Sequence, residues 1–511
     1  MKTKFKQMKK IFIYNLIFLA MTFCSCKKFL EEYSQDEMRP GTTEDLQSLM
    51  YSDAYPYINA METFDALTDD LQNNPLVYTN GAPIASYFGK VQEAALMYTF
   101  NPVMFDGINT ALAGQNVYST AYTKIKGCNV VIDHLDKVAG TADNKNAILG
   151  QSLFLRSFYY LKLATLYCQM YNAPGVDPNT ALGVPIVLSS EVKDGGLTRN
   201  TLKEVYDQIE KDLITAESLL RTSNYIPVNS YRVGADVAAG LLSRFYLYRS
   251  ADGDWDKAIQ SASRVLENRP VLTFLASQVG ANGTITANGI YNVANPEILW
   301  FCLGSHPSML AAEVVSGAMP PFTVSGDLIA LYDKGTGTSN YGDLRYQYFF
   351  QTFTINGSKV PYRTGKNVFN ATASGSKGMR VAEMYLNRAE AHALKYLISA
   401  DAADRTAALA DLNTLRRSRY DTRNTAYTLI NINDAQALYK FCQEERRREL
   451  VLEDGHRFID IKRWRLAVTH VFTGTDNVNG TYTLPSNSPL FALPIPAFAM
   501  TANTSLVQNP R

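Results

Sequence analysis

The sequence AEMYLNRAEAHALKYLISADAADRTAALADLNTLRRSR, residues 382–419, decides the fold. Its apolar residues recur at intervals of three and four, which is the spacing of one helix face. The pattern predicts a helix over 382–396, a polar turn, and a second helix over 402–419 whose Leu412 and Leu415 face inward. Two helices joined in this way form a hairpin that must bury its apolar face against a neighbouring element.

Other segments repeat this hairpin pattern along the chain. Residues 201–220 begin with Thr201-x-x-Glu204, a capping box in which each side chain satisfies the backbone N–H of the other residue. Gly253 and Ala262 fall near the positions that a tetratricopeptide repeat uses for its turn and its small packing residues. We predict about four stacked pairs, which are 115–138 with 144–171, 201–220 with 235–250, a short pair around 255–268, and 380–419 with 434–464 beside it.

The remaining segments lack long helical periodicity. Residues 60–110 are rich in turn signals and predict long loops with short helical pieces. Residues 271–379 are rich in Gly, Asn, Thr and Ser, although 297–301 predicts one buried strand, and residues 472–511 predict extended structure. The predicted fold class is therefore mainly α, a tetratricopeptide-like scaffold of helical hairpins with long irregular loops and a few short strands.

The N-terminus has the three regions of a secretory signal peptide. Five lysines precede an apolar run over 11–23 that is too short to span a bilayer as a helix. Ser25 then precedes Cys26, which is the arrangement at a bacterial lipoprotein cleavage site. We predict a signal peptide over 1–25, an acylated Cys26 that anchors the protein to a membrane, and a charged tether over 26–41. An ordinary secreted protein in which Cys26 is incidental is the alternative.

Charge and composition exclude several classes of partner and chemistry. Because the signal peptide contains five lysines and no acidic residue, its removal lowers the formal net charge from +1 to about −4. The mature chain therefore lacks the excess of basic residues that is typical of nucleic-acid-binding proteins. Cys128, Cys168, Cys302 and Cys442 stand far apart in apolar or helical stretches, so we predict buried thiols rather than disulfides. The five histidines form no metal-binding array, and the sequence predicts neither a metal nor a cofactor.

Five motifs follow each other through the C-terminal third. They are MYLNRAEA at 384–391, ADLNTLR at 410–416, EERRREL at 444–450, GHRFIDIKRW at 455–464, and LPIP at 493–496 with QNP at 508–510. Their order and spacing resemble the SusD/RagB family of surface nutrient-binding lipoproteins of Bacteroidetes. RSFYYL at 156–161 and GVP at 183–185 resemble the middle of that family, and Cys26 resembles its lipid site.

The resemblance implies one SusD-like domain over 42–511 with a ligand face built from loops. Its N-terminal part covers about 42–270, its loop-rich ligand region about 271–379, and its C-terminal part about 380–511. The resemblance also implies a lipid-anchored protein on the outer face of the outer membrane. Its implied partner is a TonB-dependent transporter barrel of the SusC type. Members of the family bind glycans, or in some systems peptides and other nutrients, and perform no chemistry.

Two acidic clusters could suggest catalysis, and each has a structural interpretation. Over 444–449, glutamates and arginines recur at helical spacings, which predicts a ladder of exposed ion pairs. A general acid needs a raised pKa, and three adjacent arginines would lower the pKa of a carboxyl there. Residues 460–463 are interpreted as salt bridges that hold the last helix to the scaffold. Asp69 and Asp70 could bind Ca²⁺ or a sugar hydroxyl, but helix capping is the favoured interpretation.

Side chains that could bind a glycan lie in the irregular segments. Such a site needs flat apolar faces for the C–H surfaces of sugars and amides or carboxylates for their hydroxyls. The candidate ligand residues are Asn73, Asn74, Tyr78, Asn80, Tyr87, Phe88, Phe105, His306, Phe322 and Tyr341. Packing or simple surface placement is the alternative for each of them. Trp255, Trp300 and Trp464 are excluded because they lie in predicted scaffold helices or in the buried strand.

The sequence therefore predicts a cell-surface lipoprotein that binds a nutrient, in the first place an oligosaccharide, and delivers it to a SusC-like transporter. No catalytic residue is predicted. One alternative is a surface glycoside hydrolase, which needs two carboxyls about 5 to 9.5 Å apart across a groove. The other is a tetratricopeptide adaptor that binds only protein.

Replacement of Cys26 tests the lipid anchor. Cys26→Ala should release the protein from membranes, because the acyl chains on this residue are the predicted source of membrane affinity. Fractionation of cells into membrane and soluble material measures the effect. Persistence of the variant in the membrane fraction would contradict acylation at this position.

Overall fold

Helices dominate the secondary structure of the computed structural model. The structure describes residues 40–56, 64–79, 82–106, 117–191, 195–280, 290–302, 315–337, 339–366, 377–474 and 479–511. The signal peptide with Cys26, most of the tether, and the candidate ligand residues Asn80 and His306 lie outside these ranges.

Fourteen α-helices and ten short strands follow each other along the ranges just given. The helices are α1 Thr43–Leu49, α2 Ala85–Tyr98, α3 Val117–His134, α4 Ala142–Tyr167, α5 Leu202–Thr222, α6 Ala235–Arg249, α7 Asp254–Asn268, α8 Gly326–Ala330, α9 Arg345–Tyr348, α10 Val381–Ser399, α11 Ala402–Arg419, α12 Ala435–Glu449, α13 His456–Trp464 and α14 Ala497–Ala502. The strands are β1 Leu71–Asn73, β2 Tyr78–Thr79, β3 Ala82–Pro83, β4 Ile298–Cys302, β5 Phe322–Val324, β6 Phe350–Ile355, β7 Ser358–Thr364, β8 Lys377–Arg380, β9 Val468–Phe472 and β10 Gly480–Leu484.

The long helices stack one against the next, as the repeated hairpin pattern predicts. Helix α3 packs on α4, α4 on α5, α5 on α6, and α6 on α7. Helix α7 then packs on α10, which also contacts α11 and α12. Each hairpin thus buries its apolar face against its neighbours, and the predicted tetratricopeptide-like fold class is confirmed.

Local capping explains where two of these helices begin. At the start of α5, Thr201 Oγ1 accepts the Glu204 N–H at 3.2 Å, and the Glu204 carboxylate accepts the Thr201 N–H at 2.8 Å. The predicted capping box is therefore confirmed. Thr42 forms a second capping box with Asp45 at the start of α1. These bonds satisfy N–H groups that have no partner inside the helix.

Helix α2 lies in the stretch that the sequence predicted as loops with short helical pieces. The prediction was wrong here, because α2 is a single helix of 14 residues. Its buried Tyr87, Val91, Ala94 and Tyr98 recur at spacings of three and four, which is helical periodicity. Nearby Asn and Gly residues suggested turns and hid this signal.

The strands form five separate antiparallel pairs that fasten distant loops together. They are β1 with β5, β2 with β3, β4 with β8, β6 with β7, and β9 with β10. The predicted buried strand at 297–301 is confirmed as β4, whose five residues are all buried. The C-terminal stretch predicted as extended contains the end of the β9–β10 hairpin and the short helix α14.

Aromatic packing fills the core around β4. Trp300 is buried and meets Phe154 and Phe158 of α4 edge to face, with ring centroids 5.2 and 5.0 Å apart. Trp300 is therefore a core residue, as its place in the predicted buried strand implies. Cys128, Cys168, Cys302 and Cys442 are buried free thiols, as predicted.

The acidic and basic run 444–449 lies at the centre of a buried ion network. An exposed ladder was predicted, and that prediction was wrong for Glu445 and Glu449, whose side chains are inaccessible to solvent. Glu449 accepts from Arg345, Arg380 and Arg419 at 3.1, 2.8 and 2.9 Å. Helical spacing identified the neighbours along α12 but could not reveal these arginines, because they come from α9, β8 and α11.

The network continues beyond α12 through Glu453. This carboxylate binds Arg380 and Lys366, each at 2.8 Å. Burial alone would raise the pKa of Glu453, but these two cations lower it to about 2. Arg345, Arg416 and Arg448 likewise hold the pKa of Glu445 well below its usual range despite its burial. The carboxylates of the network are therefore ionised at neutral pH.

Residues 460–463 hold α13 to the scaffold in two different ways. Asp460 accepts from Arg446 of α12 at 3.0 Å, and Arg463 donates to Glu390 of α10 at 2.5 Å, in line with the predicted salt bridges. Lys462 differs, because its ammonium donates at 2.6 Å to the carbonyl of Thr165 and also to that of Cys168. Burial lowers the pKa of Lys462 to about 7.

The stability of the protein should fall in acid because of the buried network. A carboxyl whose pKa is lowered by folding stabilises the protein above its unfolded pKa, and this stabilisation is lost as the pH falls through the folded pKa. For Glu453 the loss should begin near pH 4.5 and be complete near pH 2, and it amounts to roughly 3 kcal/mol.

Urea unfolding followed across this pH range measures the effect. Glu453→Gln should lower the free energy of unfolding at pH 7 and flatten its fall in acid. Glu444→Gln is the matched control, because the Glu444 side chain is 34% exposed on α12, just before the turn that carries Glu453. If the free energy of unfolding of Glu453→Gln falls in acid as steeply as that of the unmodified protein, Glu453 is not a source of the acid sensitivity.

Candidate functional site

Pairing of β1 with β5 brings three of the candidate ligand residues together. Asn73 lies opposite Phe322 in this pair, and the N–H of Asn74 donates to the carbonyl of Pro321. The amide of buried Asn74 donates to the Pro320 carbonyl at 2.9 Å, and that of Asn73 donates to the Pro321 carbonyl at 3.1 Å. These amides hold the two strands in place.

The β2–β3 hairpin and the start of α2 form the adjoining surface, which we call the hairpin surface (residues 76–79 and 83–88). Tyr78 is 63% exposed there and lies opposite Pro83 in the hairpin. Phe88 is half-buried, whereas Tyr87 is buried against Ala318 and accepts the Val315 N–H at 3.0 Å. Tyr78 therefore presents the open aromatic side chain of this surface.

Phe322 and two further aromatic candidates have protein neighbours. Phe322 is buried and meets Tyr98 edge to face at 5.3 Å. Phe105 meets Phe64 in the same manner at 5.8 Å. Tyr341 lies beneath the guanidinium of Arg423 at 5.4 Å. These contacts give each ring a packing role.

Asp69 and Asp70 connect the strand β1 to the scaffold. Arg457 donates to Asp69 at 2.7 Å, and Arg447 donates to Asp70 at 2.8 Å. The favoured interpretation as a helix cap was therefore wrong, because the partners are arginines of α12 and α13. Burial raises the pKa of Asp70, whereas the hydrogen bond and charge of Arg457 outweigh burial and lower the pKa of Asp69.

A cleft separate from the hairpin surface lies between the loop that joins α5 to α6 and residues 293–299. We call it the loop cleft, and its volume is about 600 Å³. It contains none of the residues proposed from the sequence. The signal that could have revealed it is the run NYIPVNSYR at 224–232, which places aromatic, basic and amide residues in a connection longer than most helix–helix loops.

Metal-binding clusters and membrane-spanning helices are both absent from the part of the chain that the structure describes. Within the ranges that the structure describes, no group of three or more His, Cys, Asp and Glu side chains could hold a metal ion. Over the same ranges, every helix is too short or too polar to cross a membrane.

The stacked hairpins, with loops and short strand pairs attached, define a helical binding scaffold of the tetratricopeptide type. Two family models match the sequence. The SusD-like model described as "Starch-binding associating with outer membrane" matches residues 28–247, and the model of the SusD family, SusD_RagB, matches residues 324–511. Together they match about four fifths of the chain, and the chain belongs to the SusD/RagB family.

Solved structures share this fold over nearly the whole length. A SusD-like carbohydrate binding protein from Bacteroides vulgatus is 24% identical, with a TM-score of 0.63 over 91% of this chain and 97% of its own. A putative sugar binding protein from the same species is 21% identical, with a TM-score of 0.66 over 93% and 99%. A SusD superfamily protein from Bacteroides thetaiotaomicron is 21% identical, with a TM-score of 0.63 over 92% and 100%. No curated protein sequence matches the chain.

Stability measurements should separate exposed Tyr78 from buried Phe322. Phe322→Ala should lower the free energy of unfolding by about 3–5 kcal/mol, because it leaves a cavity in packed surroundings. Tyr78→Ala should change it by less than about 0.5 kcal/mol, because the side chain is largely in solvent. Urea unfolding at neutral pH measures both, and equal losses would contradict the assignment of Tyr78 as a surface residue.

Proposed function

We propose that the protein is a lipid-anchored binding protein on the outer surface of the outer membrane. It captures an oligosaccharide and hands it to a SusC-like TonB-dependent transporter, without a covalent step. Membership of the SusD/RagB family is the observation that carries this proposal. The description of one matching family model as starch-binding and outer-membrane-associated, and the names of the solved relatives, support a sugar as the nutrient.

The hairpin surface has chemistry suited to a sugar. The open ring of Tyr78 offers a flat apolar face for the C–H side of a pyranose, and its hydroxyl can exchange hydrogen bonds with sugar hydroxyls. Asn73 and Asn74 hold β1, the strand that leads into this surface, against β5 through their amide bonds. The support is pre-organised, so less conformational entropy is lost when a ligand binds.

A binding role agrees with the ionised state of the three glutamates in the central network. A glycoside hydrolase needs a carboxyl that keeps its proton near neutral pH in order to protonate the leaving group. Arginine and lysine neighbours lower the pKa of Glu445, Glu449 and Glu453 instead. These carboxylates are also buried, where a polymeric substrate cannot reach them.

Delivery requires a position beside the transporter. Acyl chains on Cys26 would hold the protein at the membrane surface, where the transporter also lies. The helical scaffold would then provide the docking surface for the barrel, and the hairpin surface would hold the sugar.

Glycan binding by the purified full-length protein tests the capture step. A glycan array followed by titration calorimetry should identify an oligosaccharide that binds without the appearance of new reducing ends. Tyr78→Ala should weaken that binding about tenfold, because the loss of one stacking ring costs on the order of 1.4 kcal/mol. Phe274→Ala is the matched control, since Phe274 is an aromatic residue 52% exposed in another segment.

Native pull-down of the anchored protein tests the delivery step and should recover a TonB-dependent barrel. New reducing ends would favour the glycoside hydrolase instead. Recovery of the barrel by a protein that binds neither a glycan nor a peptide would favour the protein-only adaptor. Equal losses in Tyr78→Ala and Phe274→Ala would contradict the hairpin surface as the sugar site.

A further inference from the structure

The loop cleft is a preformed opening whose lining includes no residue of the hairpin surface. Its volume of about 600 Å³ lies within the range of small-ligand sites, which is roughly 300–1,000 Å³. Its walls come from the end of α5, the loop over 223–234, the start of α6, and the segment just before and within β4.

Four contacts hold the loop of this cleft in one conformation. The carbonyl of Ser230 accepts the Phe301 N–H at 2.7 Å, and the hydroxyl of Tyr55 accepts the Val233 N–H at 3.1 Å. The side-chain oxygen of Asn229 accepts the Tyr231 N–H at 3.0 Å. Pro227 packs so closely on Gly234 that a Cβ there would lie 2.6 Å from the proline ring. The cleft is therefore formed before any ligand binds.

Positive charge exceeds negative charge along the walls. Three arginines line the cleft, and Asp236 is the acidic residue among its lining side chains. Arg221 is already paired, because it lies 3.0 Å from Glu217 and 3.9 Å from Asp236. Arg269 donates to the backbone carbonyls of Pro296 and Ile298. The third arginine, Arg232, differs from both.

Arg232 is held by stacking rather than by a carboxylate. Its guanidinium lies 3.5 Å from the ring centre of Tyr51 and 5.0 Å from that of Tyr55. Among the residues that the structure describes, it forms no ion pair, and its Nε is buried without a hydrogen-bond acceptor. Stacking occupies the faces of a guanidinium but leaves its N–H edge free, and that edge matches a carboxylate.

The remaining walls have the two kinds of group that a sugar ring needs. The side chains of Asn224 and Asn229 are exposed at the cleft and carry amides that can bond to hydroxyls. Ile226, which is 82% exposed, and Val293 supply apolar surface for C–H groups. We propose that the loop cleft is a second ligand site, specific for an acidic sugar whose carboxylate binds the N–H edge of Arg232.

Titration calorimetry on the purified full-length protein tests the site with tri-galacturonate and, as the neutral counterpart, galactotriose. Tri-galacturonate should bind at least tenfold more tightly than galactotriose, and higher salt should weaken its binding because the contact is ionic. Arg232→Gln should reduce the affinity for tri-galacturonate at least tenfold. Arg405→Gln, on α11 away from the cleft, is the matched control and should bind as the unmodified protein does.

A second variant is needed because Arg232→Gln could lose binding through misfolding, since it removes the guanidinium that stacks on the tyrosines. Asn229→Asp retains an oxygen that can accept the Tyr231 N–H, and it adds a negative charge at the cleft. It should weaken tri-galacturonate binding while leaving the thermal midpoint unchanged. Tyr78→Ala should leave tri-galacturonate binding unaffected, because Tyr78 belongs to the hairpin surface.

Three results would overturn the second site. They are no binding of tri-galacturonate, equal binding of the acidic and neutral trisaccharides, and loss of tri-galacturonate binding in Tyr78→Ala but not in Arg232→Gln. Each of these leaves capture of a neutral glycan at the hairpin surface intact, so a failure of the second site is distinguishable from a failure of the proposed function.

Discussion

The structure depends on the buried carboxylate of Glu449 and the three arginines around it. These arginines come from α9, β8 and α11, so one side chain of α12 joins four elements that are distant in sequence. Transfer of such charges from water is costly, and a buried ion pair is weak evidence for stability by itself. The network around Glu449 instead restrains where these four elements lie, because the loss of any one partner would leave an uncompensated charge in the interior. We infer that the network fixes the positions of α11 and α12 relative to α9 and β8.

Buried ion pairs also connect the loops around β1 to the scaffold. Arg447 and Arg457 project from α12 and α13 to Asp69 and Asp70, which immediately precede β1. β1 in turn pairs with β5, and the hairpin surface follows it in the chain. Ion pairs therefore attach the strand that precedes the hairpin surface to α12, the helix that carries Glu445 and Glu449. In this way, loops with little regular structure acquire a defined position without a large sheet of their own.

Sequence patterns predicted the scaffold well and the surfaces poorly. The helices around Thr201, Gly253 and Leu412 were predictable because caps, turns and helical periodicity are local properties. Helix α2 was missed because turn residues at its borders obscured its periodicity. For the candidate ligand residues, the sequence could name aromatic and amide side chains in irregular segments, but it could not distinguish open Tyr78 from buried Tyr87 and Phe322. Exposure is a property of what packs on a residue, and the covering residues come from distant parts of the chain.

The sequence by itself determined the repeated helical hairpins, the buried thiols, the buried strand and the membership of a family, since each of these depends on residue types at short, regular spacings. Tertiary structure alone decided which arginines surround Glu445 and Glu449, that Asp69 and Asp70 bind arginines rather than cap a helix, and that the loop over 223–234 borders a cleft with Arg232 stacked on tyrosines. The physical reason is the range of the interactions. Hydrogen bonds within a helix join residues four apart, whereas the ion pairs and ring contacts that shape these surfaces join residues separated by tens to hundreds of positions.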